Sequence, residues 1–590
     1  MQIKWLGWAL TSVAAAALVA CGGSTPVVTL SGAVIDGYIE GATVCLDDNG
    51  DGACGNNEPQ AVTGPGGQYT LATTTDIQGK YLVVSVPDSA KDSDDGGLTL
   101  AQAGKSAYVM ATPAATPQVI SPLTTLLVGK IKSDGLSASE ARTQVLSELG
   151  LSADTDLQAD HVASANAQVH AAARQLASRL QAAHGQAGDK PTDALRALGD
   201  ALKAQQNEAG QLLSDSLLPL QNMPDSLAAL ADGKLLLYKM TSAKGQPITA
   251  SAMLFTPKAP APTGGRPLVV LGVGTTGIAS QCAPSNIMQG GYGFAYAPWV
   301  AALLAQGLSV VVPDYEGRGP AGVVPDAHPY LHVGSAGQSM ALAAVAAKRW
   351  LGDGLSGVWA AWGHSQGGHA ALAAAQFAPL ASRLESSLNY RGAVAVAPAS
   401  HFVESVQGLV GLSSQAASPE EAFAYLGTLG FYASYIVKGT TFSPTPLNPN
   451  SFLGQNMRDV YAYAGSECIN DYAERVDQAV TAYAIKGGLP NDFTAIDATQ
   501  LASPYALSVL RSLEPGRVQL PGKTLLIQGS ADTTVLPQTT QKLNQVMTAK
   551  GSDVTLTLVQ DDAATHTGVL ATAVAQQAMV THLTQLFAAP

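Results

Sequence analysis

The chain has 590 residues, of which 46% are hydrophobic and 13% charged, and its formal net charge is −13. That length exceeds what one hydrophobic core organises, so several domains are expected. Acidic residues outnumber basic ones 44 to 31 with no basic stripe, which argues against a phosphate-binding surface and against nucleic acid as a partner.

The first segment, "MQIKWLGWALTSVAAAALVAC", has an early lysine, a short apolar run and small residues before Cys21. This is the pattern of an export signal over residues 1–21, too short for a stable membrane span. Its ending, "LVAC", resembles the lipobox of bacterial lipoproteins. That resemblance implies that Cys21 is lipidated and becomes the mature N-terminus, anchoring the chain to a membrane. Gly22 in place of Asp implies the outer membrane or cell surface. An ordinary signal peptide is the alternative. Four further cysteines, Cys45, Cys54, Cys282 and Cys468, fit two disulfides in an oxidising compartment. Three pairings are open, and the domain boundaries below favour Cys45–Cys54 and Cys282–Cys468.

Residues 22–118 comprise a short tether, "GGSTP", and then short β-branched runs broken by turn signals, such as "TGPGGQYTLAT" and "KYLVVSVP". A small β-sandwich is expected, resembling the carboxypeptidase-regulatory-like kind. Within it "DDNGDGACGNNE" places Asp47, Asn49, Asp51, Gly52 and Glu58 on the spacing of a calcium loop. The flanks read as strands rather than the helices of an EF-hand, so an acidic turn clipped by Cys45–Cys54 is the competing expectation.

Residues 119–226 show apolar residues at helical spacing, and Ser137 with Glu140 reads as a capping box. A helical connector is expected. His161, His170 and His184 fall here; His170 and His184 read as helix-surface or packing residues, without a metal-ligand pattern around them.

From 227 to 590 apolar strands alternate with helices. "GKLLLYKM" and "PITASAMLFTP" suggest an antiparallel pair. "PLVVLGVG", "LSVVVPDYEG", "VWAAWGHS", "GAVAVAPA", "TLLIQGS" and "VTLTLVQD" read as buried strands. Runs of this kind, separated by helices, predict an α/β fold with a mostly parallel sheet covered on both faces.

"GHSQG", Gly363 to Gly367, fits G-x-S-x-G at a strand-to-helix junction, where a strained turn exposes a serine hydroxyl. Ser365 is therefore the candidate nucleophile. A serine needs a base, and the base needs an orienting acid. In such a fold they follow in the order Ser, Asp or Glu, His. "QGSADTTV" supplies Asp532 after one strand, and "VQDDAATHTG" supplies His566 after the next, 34 residues later. His364 and His369 adjoin the serine in sequence and are expected to point elsewhere. His328, His332 and His401 come too early in the chain, although His401 is placed to line a pocket. His582 falls inside the last helix, and Asp561 and Asp562 share a segment with the base. The N–H of Gln366 is expected to be one oxyanion donor. Thr275 or Thr276, in the glycine-bearing loop "LGVGTTGIASQCAPS", supplies the second.

Taken together, "GTTGIASQCAPS", "VVVPDYEGRG", "GHSQGG", "GSADTTV" and a later "HTG" resemble the secretory lipase family, of the lipase A type, over residues 227–590. The resemblance implies an α/β-hydrolase fold and carboxylic-ester hydrolysis, with Ser365 as nucleophile, His566 as base and Asp532 as orienting acid. It also implies a disulfide at Cys282, for which Cys468 is available. Many members carry His-Gly before the two threonines; here the pair is Val273-Gly274.

The long span between Ser365 and Asp532 contains helices rich in apolar and tyrosine residues over about 401–517. These are expected to form a cap enclosing an acyl pocket. The expectation is thus an exported, lipid-anchored esterase or lipase acting on a small-molecule, lipid or polyester ester, with no cofactor required for catalysis. A serine peptidase on the same fold, or a surface-binding lipoprotein with an inactive hydrolase domain, are the rivals.

Overall fold

The computed structural model describes residues 27–149, 151, 155–164, 167–187, 208–218, 225–289, 296–325, 328–443 and 446–588. The export signal at 1–21, Cys21 and the tether at 22–26 lie outside the described residues.

The N-terminal region contains β1 (Val28–Val34), β2 (Ile39–Glu40), β3 (Thr43–Asp47), β4 (Gln60–Val62), β5 (Gln68–Thr73), β6 (Tyr81–Val86), β7 (Lys91–Asp92), β8 (Tyr108–Pro113) and β9 (Val119–Ile120). They form sheets in the orders β5-β1-β9 and β4-β3-β6-β8, and a small β2-β7 pair. Alternation is visible in β5, whose residues are exposed and buried in turn. Leu30, Val34 and Leu71 of one sheet and Val44, Leu82 and Val84 of the other bury into a single core.

The helices Pro122–Asp134, Ala138–Glu148 and Ala167–Ala187 follow. Ser137 and Glu140 cap each other reciprocally, as the sequence suggests: the Ser137 N–H donates to Glu140 Oε2 at 2.9 Å and the Glu140 N–H to Ser137 Oγ at 3.3 Å. These helices are more than a connector. Leu123, Leu126, Val145, Leu176 and Leu180 complete the same core as the small sheets. Arg174 Nη1 donates to Asp94 Oδ2 at 2.8 Å, and His170 Nε2 lies 2.9 Å from the same oxygen. The helical reading of 119–226 needs a second correction. Residues 119–120 form strand β9 beside β1, and β10 (Leu212–Leu217) pairs antiparallel at the edge of the large sheet. The catalytic-type sheet therefore starts before residue 227. Its partner strand, not its local pattern, makes β10 extended.

The large sheet adds β11 (Ala231–Thr241), β12 (Pro247–Pro257), β13 (Arg266–Gly272), β14 (Ser309–Pro313), β15 (Leu355–His364), β16 (Asn389–Val396), β17 (Lys523–Gly529) and β18 (Asp553–Val559). Its order is β10-β11-β12-β14-β13-β15-β16-β17-β18. Pairings from β14 through β18 are parallel, and those from β10 to β14 antiparallel. The parallel strands are apolar on both sides because both sides are covered. Every residue of β14 is buried. Helices Val333–Leu351 and Gln366–Leu384 present buried alanines, such as Ala343, Ala346, Ala371 and Ala374, whose small side chains permit close packing. Trp362 of β15 stacks on Trp299 of helix Ala297–Ala305 and lies against Met579 of helix Ala573–Ala588, so these two helices share a face.

Between β16 and β17 the chain leaves the sheet. Helices Phe402–Gln415, Pro419–Thr440, Ile469–Ile485 and Pro504–Ser512 build a separate apolar core around Phe431, Tyr435, Met457 and Tyr472. Disulfide Cys282–Cys468 ties this insertion to the loop after β13, and Cys45–Cys54 closes the acidic turn. Among the described residues no helix is long and apolar enough to cross a membrane.

Candidate active site

The serine sits where β15 ends and helix Gln366–Leu384 begins. Ser365 has φ 59° and ψ −120°, a left-handed backbone that an L-residue adopts at a cost of about 1–3 kcal/mol. Two close approaches hold it there. A Cβ on Gly363 would fall 2.1 Å from the Gly367 carbonyl oxygen, and one on Gly367 would fall 1.9 Å from that of Gly272. Neither position admits a side chain, which is the physical content of G-x-S-x-G. The Ser365 N–H donates to the Val396 carbonyl at 2.9 Å, and the His369 N–H to the Ser365 carbonyl at 3.0 Å. Ser365 is 6% exposed.

The structure brings all three predicted side chains together. His566 follows β18, and its Nε2 lies 2.9 Å from Ser365 Oγ. Its Nδ1 lies 2.8 Å from Asp532 Oδ2. With Nδ1 protonated toward the carboxylate, Nε2 is left to accept the serine proton. Asp532, in the loop after β17, is 2% exposed and fully hydrogen-bonded. Its Oδ1 accepts the N–H groups of Thr534 and Val535 at 2.8 and 2.9 Å. Its Oδ2 also accepts from Gln528 Nε2 at 3.1 Å. Gln528 is held in turn by the Thr540 hydroxyl, which donates to its Oε1 at 2.6 Å. An amide side chain at the end of the apolar run in "TLLIQG" was the available signal for Gln528, which the sequence reading does not single out.

Gln366 opens the helix, and its side-chain amide donates to His328 Nε2 at 2.9 Å. His328 Nδ1–H donates to the Glu316 carbonyl at 2.8 Å, which fixes its tautomer. Burial holds His328 well below the usual imidazole range, so it stays neutral. The two threonines differ. Thr276 is committed to the scaffold: its hydroxyl donates to the Cys282 carbonyl at 2.7 Å and accepts from Arg318 Nη1 at 2.6 Å, and its carbonyl accepts the Ile469 N–H at 2.9 Å. Thr275 Oγ1 shares a hydrogen bond of 2.6 Å with Tyr330, a residue of the pocket wall. Arg318 is wholly buried and also donates to the Gly277 and Asp314 carbonyls, bracing the loop.

Over Ser365 lies a pocket whose wall includes the serine itself. Its walls are mostly apolar and come largely from the insertion, including Phe402, Leu409, Leu429, Ile436 and Phe452. The insertion is therefore a cap that covers the serine. His401 does not line this pocket; it is buried beside it with φ 50°. His364 does not point elsewhere: its ring centroid is 4.7 Å from that of His566. His369 is turned away, with Nε2 donating to the Leu513 carbonyl at 2.8 Å.

The acidic turn folds on itself. Gly52 N–H donates to Asp47 Oδ2 at 3.1 Å, Asn49 and Asp51 bond to each other and to the turn backbone, and both Glu58 oxygens accept backbone N–H groups. Among the described residues no group of three or more His, Cys, Asp or Glu side chains is arranged to hold a metal ion.

A mostly parallel sheet, a serine on a glycine-flanked strand-to-helix turn, and Asp532 and His566 after successive later strands define an α/β-hydrolase fold. The family comparison agrees with that fold: a profile described as the alpha/beta hydrolase family matches residues 283–571. No curated protein matches the chain. Among solved structures, a rice cell wall degrading esterase LipA from Xanthomonas oryzae is 21% identical, with a TM-score of 0.49, covering 64% of this chain and 98% of its own. Candida antarctica lipase A is 17% identical with a TM-score of 0.44, covering 61% of this chain and 78% of its own.

Proposed function

We propose that this chain is a carboxylic-ester hydrolase acting through an acyl-enzyme. The observation that carries the reading is the continuous contact from Ser365 Oγ to His566 Nε2 and from His566 Nδ1 to Asp532. Ser365 attacks the ester carbonyl as His566 takes its proton. Asp532 holds the imidazole orientation and stabilises its charged form. The developing oxyanion is held by the N–H of Gln366 and that of Thr275, the threonine whose side chain bonds Tyr330 of the pocket wall, whereas the hydroxyl and carbonyl of Thr276 tie it into the scaffold. His566 then gives its proton to the leaving alkoxide, and a water activated by the same imidazole releases the acid. This chemistry needs no cofactor.

The apolar pocket beside Ser365 supports an ester with an apolar acyl chain. A polar or charged acyl group would lose its hydration there without compensation. Lipidation of Cys21, with placement at the outer membrane or cell surface, belongs to the same reading and rests on the "LVAC" pattern. A series of nitrophenyl esters of increasing chain length tests the assignment. Wild-type protein hydrolyses the apolar esters, while the Ser365→Ala variant, folded by circular dichroism, does not. Equal rates for the two proteins would remove it.

A further inference from the structure

His364 is the residue inside the G-x-S-x-G turn that the ester-hydrolysis reading leaves unused, and it is 3% exposed. Its Nε2 lies 2.7 Å from the backbone carbonyl oxygen of His566. A carbonyl has no proton to give, so Nε2 carries the hydrogen and donates. In the neutral ring Nδ1 then has a bare lone pair. Burial pushes the His364 pKa down to about 3, with the neighbouring His566 adding to it, so the neutral ring persists.

Tyr296 Oη lies 3.1 Å from that Nδ1 and supplies the proton of the contact. The same oxygen accepts the Gly274 N–H at 2.8 Å. Every donor and acceptor role in the chain Gly274, Tyr296, His364, His566 is thereby fixed in one direction. A Cβ on residue 274 would fall 2.6 Å from Tyr296 Oη and would displace that hydroxyl, so glycine suits this position. Gly274 immediately precedes Thr275, the oxyanion donor assigned above. His566 meets Ser365 and Asp532 with its ring, while its own peptide plane is set by His364.

We propose that His364 and Tyr296 are positioning residues that hold the base His566 and the oxyanion loop at Gly274 in one fixed relation, through a buried hydrogen-bonded chain. They touch neither the serine hydroxyl nor the substrate carbonyl. They act by fixing the direction from which His566 presents Nε2. The inference rests on Ser365 and His566 carrying the reaction. A displacement of about 1 Å at a reacting group costs about 10²-fold in rate, so the chain is expected to show in kcat and not in KM.

The test uses the full chain and a short nitrophenyl ester. His364→Phe fills the same space without a donor, and kcat falls about 10- to 100-fold with KM within about twofold. His364→Gln can place its amide nitrogen where Nε2 stood, and it restores most of kcat because the His566 carbonyl regains its donor. Thermal midpoints are read beside each rate. Wild-type kcat in a folded His364→Phe protein overturns the proposal, and so does a folded His364→Gln protein as impaired as His364→Phe. If the Phe variant does not fold, Tyr296→Phe removes a single hydroxyl; an unchanged kcat there overturns it too. Activity that survives Ser365→Ala would instead sink the hydrolase reading, which keeps the two failures apart.

Discussion

Exchanging Asp532 for Asn changes one atom and tests the orienting role most sharply. Asp532 Oδ1 accepts two backbone N–H groups at 2.8 and 2.9 Å, so the amide oxygen of Asn keeps that side. The amide NH2 is then forced toward His566 Nδ1 and Gln528 Nε2, both of which donate to the wild-type carboxylate. Two outcomes are open to the imidazole. It can face donor against donor and lose its anchor, or it can move its proton to Nε2 and accept from the amide. In the second state Nε2–H faces Ser365 Oγ and cannot take its proton. The same exchange in a serine triad lowers kcat about 10⁴-fold, or about 5 kcal/mol of transition-state stabilisation. KM changes little because the pocket is untouched. Steady-state rates on a short nitrophenyl ester, with circular dichroism to confirm folding, measure the effect. Retention of more than a tenth of wild-type kcat would refute the reasoning.

Replacing Cys282 and Cys468 by serine removes the covalent tie between the cap helix Ile469–Ile485 and the loop that carries Thr276 and Gly277, leaving backbone hydrogen bonds between them. Stability falls by about 2–4 kcal/mol, and activity is lost at lower urea than global structure; coincident transitions in variant and wild type would contradict this. Acid destabilises the fold. His161, His364, His369 and His401 are buried with values pushed down to between about 3 and about 4, and His328 lies well below its ordinary value. The unfolded chain takes these protons near pH 6.5 while the folded one refuses them, so stability drops as pH falls from 6.5 toward 4, by at most about 1.4 kcal/mol per unit for each ring. His332, pushed down to about 4, and His582, also lowered by burial, act in the same sense. Glu316 and Asp36, both raised to about 7 chiefly by burial, and Asp92, Asp314 and Glu514, raised by burial as well, run the other way, since the folded state keeps their protons above the unfolded value. They are fewer, so urea midpoints are expected to be lower at pH 5 than at pH 7; a higher midpoint at pH 5 would contradict the accounting.

Much of the catalytic sheet was legible because its strands carry their environment in their own composition. β14 is "SVVVP" whatever follows it, and both of its faces are covered. The elbow was legible for a steric reason, since glycines at 363 and 367 are the residues the backbone contacts tolerate. Asp532 and His566 could be placed by strand order alone. β10 could not, because four of its six residues are exposed and a partner distant in sequence makes it extended. The helices at 122–187 look self-sufficient in sequence, and their packing on the small sheets is a long-range event. His364 was misjudged for a related reason. Position along the strand says which residue it follows, but not that the His566 carbonyl arrives from a segment about 200 residues away.

The most direct test of the account is to treat the full chain with a fluorophosphonate and locate the adduct by peptide mass spectrometry. The account predicts a single phosphonylated serine at position 365, with labelling slowed sharply in His566→Ala. A label on another residue, or an unmodified Ser365 in a folded protein that hydrolyses esters, would contradict it.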